Sequence, residues 1–230
     1  MATGKISGRD FKEKILEIVS SNNFEQDLGA LCKLPARKVI NPLFSFLLST
    51  DSKIKWATVT AFGAVVSNLA NQDMESARVI MRRLMWQLND ESGGIGWGCP
   101  EAIGEIVACH ERLAREYARV PISYIREDGN FLEHEPLQEG SLWGVGRVAQ
   151  VRPKLIRDAV PHLLRFLEAQ DDTLRGLASW ALGLLCALEA RSQIERLVND
   201  NREIEIYRDR KIKIYLVRDL AKEALEKIGQ

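Results

Sequence analysis

Apolar residues recur at the spacing of one helix face along nearly the whole chain. Positions i, i+3, i+4 and i+7 lie on the same side of an α-helix, so this pattern predicts an all-α protein. Alternation of apolar and polar residues, which is typical of a strand, is confined to residues 203–215. That stretch predicts a small β-hairpin near the C-terminus.

The helical pattern repeats. Leu174-Arg175 and Val217-Arg218 are each followed by x-x-Ala-x-x-Ala-Leu. Weaker copies of the same segment align when a glycine is placed at the equivalent position of each copy. The aligned glycines are Gly63, Gly104, Gly146 and Gly183. Their spacing of about 40 residues is the period of repeats built from helix pairs.

The repeated segment resembles the second helix of a HEAT repeat, of the kind also found in phycobilin-lyase-like HEAT proteins. The resemblance implies an α-α superhelix of about five helical pairs whose second helices line a concave surface. Residues 1–34 are expected to form an N-terminal helical cap, and residues 35–230 the solenoid. The expected units are 35–70, 74–110, 111–153, 154–189 and 190–230. A long acidic loop over 127–140 is expected inside the third unit.

The hairpin is predicted to pair 203–207 with 211–215 around the turn 208–210, which sets two glutamates against two lysines. A lone hairpin is marginally stable, so we expect it to pack on the solenoid. It could close the C-terminal end, which is the simpler interpretation, or it could provide a docking surface.

When the repeated segments are aligned on their glycines, one stripe of residues along each second helix is expected to face the concave groove. Aromatic and charged residues fall on that stripe, and the aligned glycines lie beside them as a floor. The predicted groove residues are Trp56, Trp97, Glu101, Glu105, Glu139, Trp143, Arg147 and Trp180. Aromatic walls with a few convergent polar groups are typical of binding sites. The alternative is that the tryptophans only pack between adjacent helices.

The glycine-rich segment 93–100 precedes a predicted helix without matching a nucleotide-binding loop, and it predicts a tight turn with a close backbone approach. Cys99 could be a nucleophile at that helix start, but the repeat pattern favours a small core residue. Cysteine and histidine spacing gives no metal-ligand pair, so neither a metal nor a cofactor is expected.

The chain has 230 residues, with 32 basic and 32 acidic side chains. Zero net charge makes nucleic acid an unexpected partner. No apolar run is long enough for a membrane span and no secretory leader is recognisable, which favours a cytoplasmic protein with reduced thiols.

The leading hypothesis is a scaffold rather than an enzyme, whose Trp-lined groove holds a peptide segment or a small ligand. Two alternatives rest on resemblance. The spacing of Trp97 and Glu101, with Arg147 and Trp180, is similar to the groove of HEAT-type alkylpurine DNA glycosylases. The HEAT motif class also includes phycobilin-lyase-like proteins. The first alternative would need a basic groove, whereas the predicted groove is rich in carboxylates.

Overall fold

The computed structural model describes residues 8–89 and 96–229. Helices dominate, and the two strands of one hairpin complete the regular structure of these residues. The helices are α1 (Gly8–Ser20), α2 (Phe24–Lys33), α3 (Ala36–Phe46), α4 (Ser52–Gln72), α5 (Met74–Leu88), α6 (Cys99–Cys109), α7 (Glu111–Tyr117), α8 (Arg119–Ser123), α9 (Glu135–Val151), α10 (Val160–Leu163), α11 (Asp172–Leu184), α12 (Arg191–Glu195) and α13 (Val217–Ile228). The strands are β1 (Glu203–Arg208) and β2 (Lys211–Leu216). Short 3-10 turns lie over 153–155, 157–159, 164–168 and 188–190.

The second helices α4, α6, α9, α11 and α13 pack in chain order, each against the next. This wall is strongly curved. The indole rings of Trp56 on α4 and Trp143 on α9 lie 4.6 Å apart between centroids, although α6 packs between these two helices. The curvature makes one side of the wall concave, as the predicted all-α superhelix requires.

The aligned glycines lie where neighbouring second helices touch. A methyl group at Gly104 would overlap the backbone of Gly144, and one at Gly183 would lie 2.6 Å from the Cα of Ala224. Gly63 and Gly146 similarly make room for side chains of the next helix, namely Glu105 and Trp180. The prediction of a glycine floor in the groove is therefore wrong, because these positions face the adjacent helix.

The arginine of the repeat motif ties one unit to the next. Arg175 donates hydrogen bonds to the main-chain oxygens of Ala169 and Gln170, and it pairs with Asp200 at 2.7 Å. Asp200 lies in the loop before the hairpin. Asp171 caps the start of α11 by accepting a hydrogen bond from the Leu174 N–H at 2.7 Å, which satisfies a donor at the helix start.

The hairpin is present, but its register differs from the predicted one. Glu205 faces Ile214, and Arg208 faces Lys211. The turn therefore has two residues, Asp209 and Arg210, whose φ angles are 51° and 59°. Such left-handed pairs match the twist of a two-residue hairpin, and this turn shifts the pairing away from glutamate against lysine.

Two further expectations change in the structure. The acidic loop is shorter than predicted because α9 begins at Glu135, with Pro136 in its first turn. Of the glycine-rich segment, residues 93–95 lie outside the described residues. Gly98 has a φ of 76°, and a side chain there would approach Leu47 to 3.0 Å, in keeping with a tight turn and a close backbone approach.

Gly104→Ala should destabilise the protein by about 2 kcal/mol, because the new methyl group must push two rigid backbones apart. Denaturant midpoints would measure the effect. Gly29→Ala is the matched control, since that helical glycine has nothing within 4 Å of an added methyl group. It should gain about 0.5–1 kcal/mol from helix propensity alone. Equal stability of Gly104→Ala and the wild type would contradict the packing described for the second helices.

Candidate functional site

The hairpin lies across the concave face, and Tyr207 makes the contacts with the aromatic side chains of that face. The Tyr207 ring stacks on Trp56 at 4.8 Å between centroids and 11° between planes. The indole N–H of Trp143 donates to the Tyr207 main-chain oxygen at 2.7 Å, and the hydroxyls of Thr60 and Tyr207 are 2.9 Å apart. Three aromatic rings and two buried hydrogen bonds therefore hold one extended segment of the chain.

Further contacts fasten the hairpin to helices α9, α11 and α13. Ile204 fills the space left by Gly176 on α11, where a methyl group would overlap it. Arg208 donates to the Glu223 carboxylate on α13 at 2.6 and 2.7 Å. Gln150 on α9 donates to Asp209 at 3.1 Å. The hairpin thus spans the groove from α13 to α4, and the simpler expectation that it closes the C-terminal end is wrong.

Glu101 forms a buried ion pair on one side of the hairpin. Its carboxylate lies 2.7 Å from the ammonium group of Lys55, and Glu101 is only 2% exposed. Burial alone would lower the pKa of Lys55, but the Glu101 carboxylate raises it above the ordinary value. The Lys55 ammonium also lies 5.2 Å from the Trp56 ring centre, within the range of a cation–π contact.

Glu105 forms a second buried pair on the other side. The Arg147 guanidinium donates to its two oxygens at 2.6 and 3.4 Å, and Glu105 is 4% exposed. The Cys109 thiol lies 3.3 Å from the same carboxylate. Removing one partner of such a pair leaves an uncompensated buried charge, so the two residues depend on each other.

Glu139 lies half-buried in a small cavity with Lys55, Glu101 and Glu205 of β1. Burial raises the pKa of Glu139 to about 7, and the Asp171 carboxylate adds to the increase, while Lys55 opposes it. A carboxyl group with this pKa changes its charge near neutral pH directly beside the hairpin.

The predicted groove residues form two groups, each lining a different cavity, and Trp97 lies apart from both. Trp56, Glu101, Glu139 and Trp143 line the small cavity beside β1, whereas Glu105, Arg147 and Trp180 line a second cavity together with Trp143. Trp143 and Trp180 are each 3% exposed, so both are packing residues as well as wall residues. Trp97 is 40% exposed and its ring contact is with His134, at 6.3 Å between centroids.

This arrangement bears on the enzyme alternatives. Glu101 lines one cavity, while Arg147 and Trp180 line another, so the four residues of the glycosylase resemblance are not gathered around one point. Cys99 is fully buried, and burial raises the pKa of its thiol, which suits a core residue. Within residues 8–89 and 96–229, no group of three or more histidine, cysteine, aspartate or glutamate side chains is placed to hold a metal ion.

Two open cavities flank Tyr207, one on each side. The larger has a volume of about 440 Å³ and lies between residues 21–26 (the turn before α2 and the first turn of α2), helix α4 and the hairpin tip. Lys53, Arg210 and Lys211 line it together with the carboxylate Glu25. The second has a volume of about 200 Å³ and lies between the hairpin and helices α4, α6, α9 and α11. Arg210 and Tyr207 border both cavities.

Sequence reasoning missed Tyr207, Thr60 and Lys55, and also the two arginines at the hairpin tip, Arg208 and Arg210. One available signal was that Ile206 and Tyr207 are consecutive, which breaks the alternation of β1 and leaves Tyr207 on the other face. Thr60 lies on the predicted stripe, three residues before Gly63, but it is neither aromatic nor charged and was therefore not selected. Lys55 lies off the stripe, so only the path of the hairpin identifies it.

Comparisons with known proteins agree with this architecture. Residues 135–185 match the family model of the HEAT-like repeat. An uncharacterized protein of Archaeoglobus fulgidus is 26% identical over 147 residues, which cover 64% of this chain and 71% of that protein. The chain thus has the fold of a HEAT-like repeat solenoid.

Solved structures support the same fold. Kap121p superposes with a TM-score of 0.58 at 14% identity, covering 96% of this chain and 25% of that one. A designed armadillo repeat protein in complex with the peptide (KR)4 has a TM-score of 0.54 at 15% identity, covering 94% and 98% of the two chains. An engineered protein has a TM-score of 0.55 at 17% identity, covering 95% and 96%. Among the described helices, none has both the length and the apolar character needed to cross a membrane.

The stability of the protein should depend on the charge of Glu139. Its raised pKa means that the folded state holds this proton more tightly than the unfolded chain, so its contribution to stability is lost as the pH rises towards 7. Glu139→Gln cannot ionise and should become more stable than the wild type by about 1 kcal/mol above that pH, a value discounted for partial exposure.

Urea midpoints of both proteins in weakly acidic and weakly alkaline buffer would measure this difference. Glu133→Gln, at an exposed position outside the cavity, is the control and should follow the wild type. A Glu139→Gln variant that gains nothing at the higher pH would rule out a strained buried charge at this position.

Proposed function

We propose that the protein is a binding scaffold whose concave groove holds an extended segment of a partner protein. One observation carries the proposal, namely that the groove already holds an extended segment of its own chain. Trp143 donates to a main-chain oxygen of β1, and Trp56 stacks on the side chain of the same residue, Tyr207. Main-chain hydrogen bonds with a side-chain pocket are a general way to bind extended peptides.

The proposed entry site is the larger open cavity beside Tyr207. Its volume of about 440 Å³ lies within the range of about 300–1,000 Å³ that is typical of binding pockets. Trp56 and Tyr207 supply aromatic surface, and Lys53 donates to Asn22 at 2.6 Å at its edge. A small ligand in the same cavity is the other form that the proposal allows.

The charge of this cavity indicates the kind of segment that it would accept. Three cations, Lys53, Arg210 and Lys211, face one carboxylate, Glu25. A designed armadillo repeat protein of similar fold has been solved with the basic peptide (KR)4. The excess of cations in this cavity instead favours an acidic segment that also carries an aromatic or apolar side chain.

We also propose that the cap over residues 1–34 and the five units from 35 to 230 act as one binding scaffold in the cytoplasm. The four cysteines are free thiols, in keeping with a reducing compartment. Concave surfaces of helical solenoids are suited to binding extended partners.

Selection of displayed random linear peptides against the protein would test the proposal. Acidic peptides with an aromatic residue should be enriched, and Trp56→Ala should weaken their binding about tenfold or more, as expected for a central aromatic contact. Trp86→Ala is the matched control, because that tryptophan is 75% exposed on α5 and lies outside the groove.

Lys53→Glu provides a second variant that leaves the hydrophobic core untouched, since Lys53 is exposed. It should shift the selected peptides away from acidic sequences. Failure to enrich any peptide above an unrelated helical protein, or enrichment that survives both groove variants, would refute the proposed function.

A further inference from the structure

The second cavity beside Tyr207 has a lining unlike the rest of the groove. Its volume is about 200 Å³, below the range that holds drug-sized ligands, so it has room for one side chain or a small ion. Three aromatic residues and three arginines surround it. They are Trp143, Trp180, Tyr207, Arg147, Arg208 and Arg210.

Two buried N–H groups of this lining have no hydrogen-bond partner. Trp180 is 3% exposed and its indole Nε1 makes no hydrogen bond. The Nε of Arg208 makes none either, with the Asp209 carboxylate 4.0 Å away. The six-membered ring of Trp180 packs on Gly146 along the edge opposite Nε1. An unsatisfied buried donor costs about 1–3 kcal/mol, so an acceptor that reached either N–H group from the cavity would be favoured.

The charges around the cavity favour the same kind of ligand. Glu105 neutralises Arg147, and Glu223 on α13 holds the terminal nitrogens of Arg208. Arg210 forms no ion pair with any carboxylate in the described part of the chain. Arg210 is thus the one arginine of this lining without an ion pair among the described residues, and the three arginines with the two carboxylates Glu105 and Asp209 give the lining a net charge of +1.

We infer that this cavity is a subsite for a single carboxylate group. The acceptor would take the Trp180 and Arg208 N–H groups and pair with Arg210, while its apolar stem contacts the aromatic walls. A phosphate is a poorer fit, because its second negative charge would be repelled by Glu105 and Asp209, which also line the cavity. The carboxylate comes from an acidic side chain or from a peptide C-terminus, and both have the same chemistry.

This inference deepens the proposed function and rests on it, since the subsite borders the groove at Tyr207. Small probes separate the two ideas. If carboxylates bind but no peptide is selected, the peptide-binding proposal fails. If peptides are selected but carboxylates do not bind here, only the subsite fails.

The subsite can be tested by titrating the protein with small probes while its indole N–H resonances are followed by NMR. The probes are acetate, N-acetylglutamate amide for a side-chain source, N-acetylalanine for a terminal source, N-acetylalanine amide as the neutral control, and inorganic phosphate at equal ionic strength. The Trp180 resonance should shift saturably with a carboxylate probe, while the exposed Trp86 resonance should stay in place. The better of the two peptide-like carboxylates identifies the source.

Arg210→Gly removes the guanidinium, and glycine suits the left-handed backbone at this position, so the hairpin turn is kept. It should weaken carboxylate binding about tenfold, as the loss of one charge-assisted contact predicts. Lys213→Ala removes a cation from an exposed position of the same hairpin and should leave binding unchanged. The inference would be overturned if the Trp180 resonance did not respond to a carboxylate probe, or responded equally to the neutral amide. It would also be overturned if the protein bound phosphate more tightly than the carboxylates, or if Arg210→Gly did not weaken carboxylate binding.

Discussion

The close approach of neighbouring second helices is the constraint on which the concave wall depends. Gly104 against Gly144, and Gly183 against Ala224, let helix backbones come nearer than ordinary side chains permit. Because the helices are so close, groups on their shared face are largely removed from water. Glu101 and Glu105 are consequently buried and must each be paired with a cation, Lys55 and Arg147 respectively.

The hairpin uses the wall that this packing creates. Tyr207 reaches α4 and α9 at once because the curvature brings Trp56 and Trp143 together. Its passage divides the groove into regions of different charge. Glu101, Glu139 and Glu205 surround the small cavity on one side, whereas arginines surround the cavity that contains Trp180. A partner of this groove therefore meets a surface with local rather than uniform charge, consistent with a net charge of zero over the chain.

The sequence predicted the helical solenoid because periodicity and the spacing of Gly183 and its equivalents are local properties of the chain. It also selected Trp143 on α9 and Glu105 on α6 as residues of the predicted groove, and both line the cavity beside Trp180. It did not predict that the hairpin would fill part of the groove, since that contact joins Tyr207 to residues such as Thr60 far away in sequence. The predicted strand register was wrong for a local reason. Glycine most clearly marks a two-residue turn, and neither Asp209 nor Arg210 is a glycine.

Hydrogen exchange of the hairpin amides tests the central claim most directly, namely that the groove holds β1 through Tyr207. We predict that Tyr207→Ala makes the amides of β1 and β2 exchange markedly faster while those of α9 and α11 keep their protection, because an isolated hairpin is marginally stable. Ile214→Ala, at a position 68% exposed on the same hairpin, should leave the exchange unchanged. Hairpin protection that is the same in the wild type and in Tyr207→Ala would contradict the account.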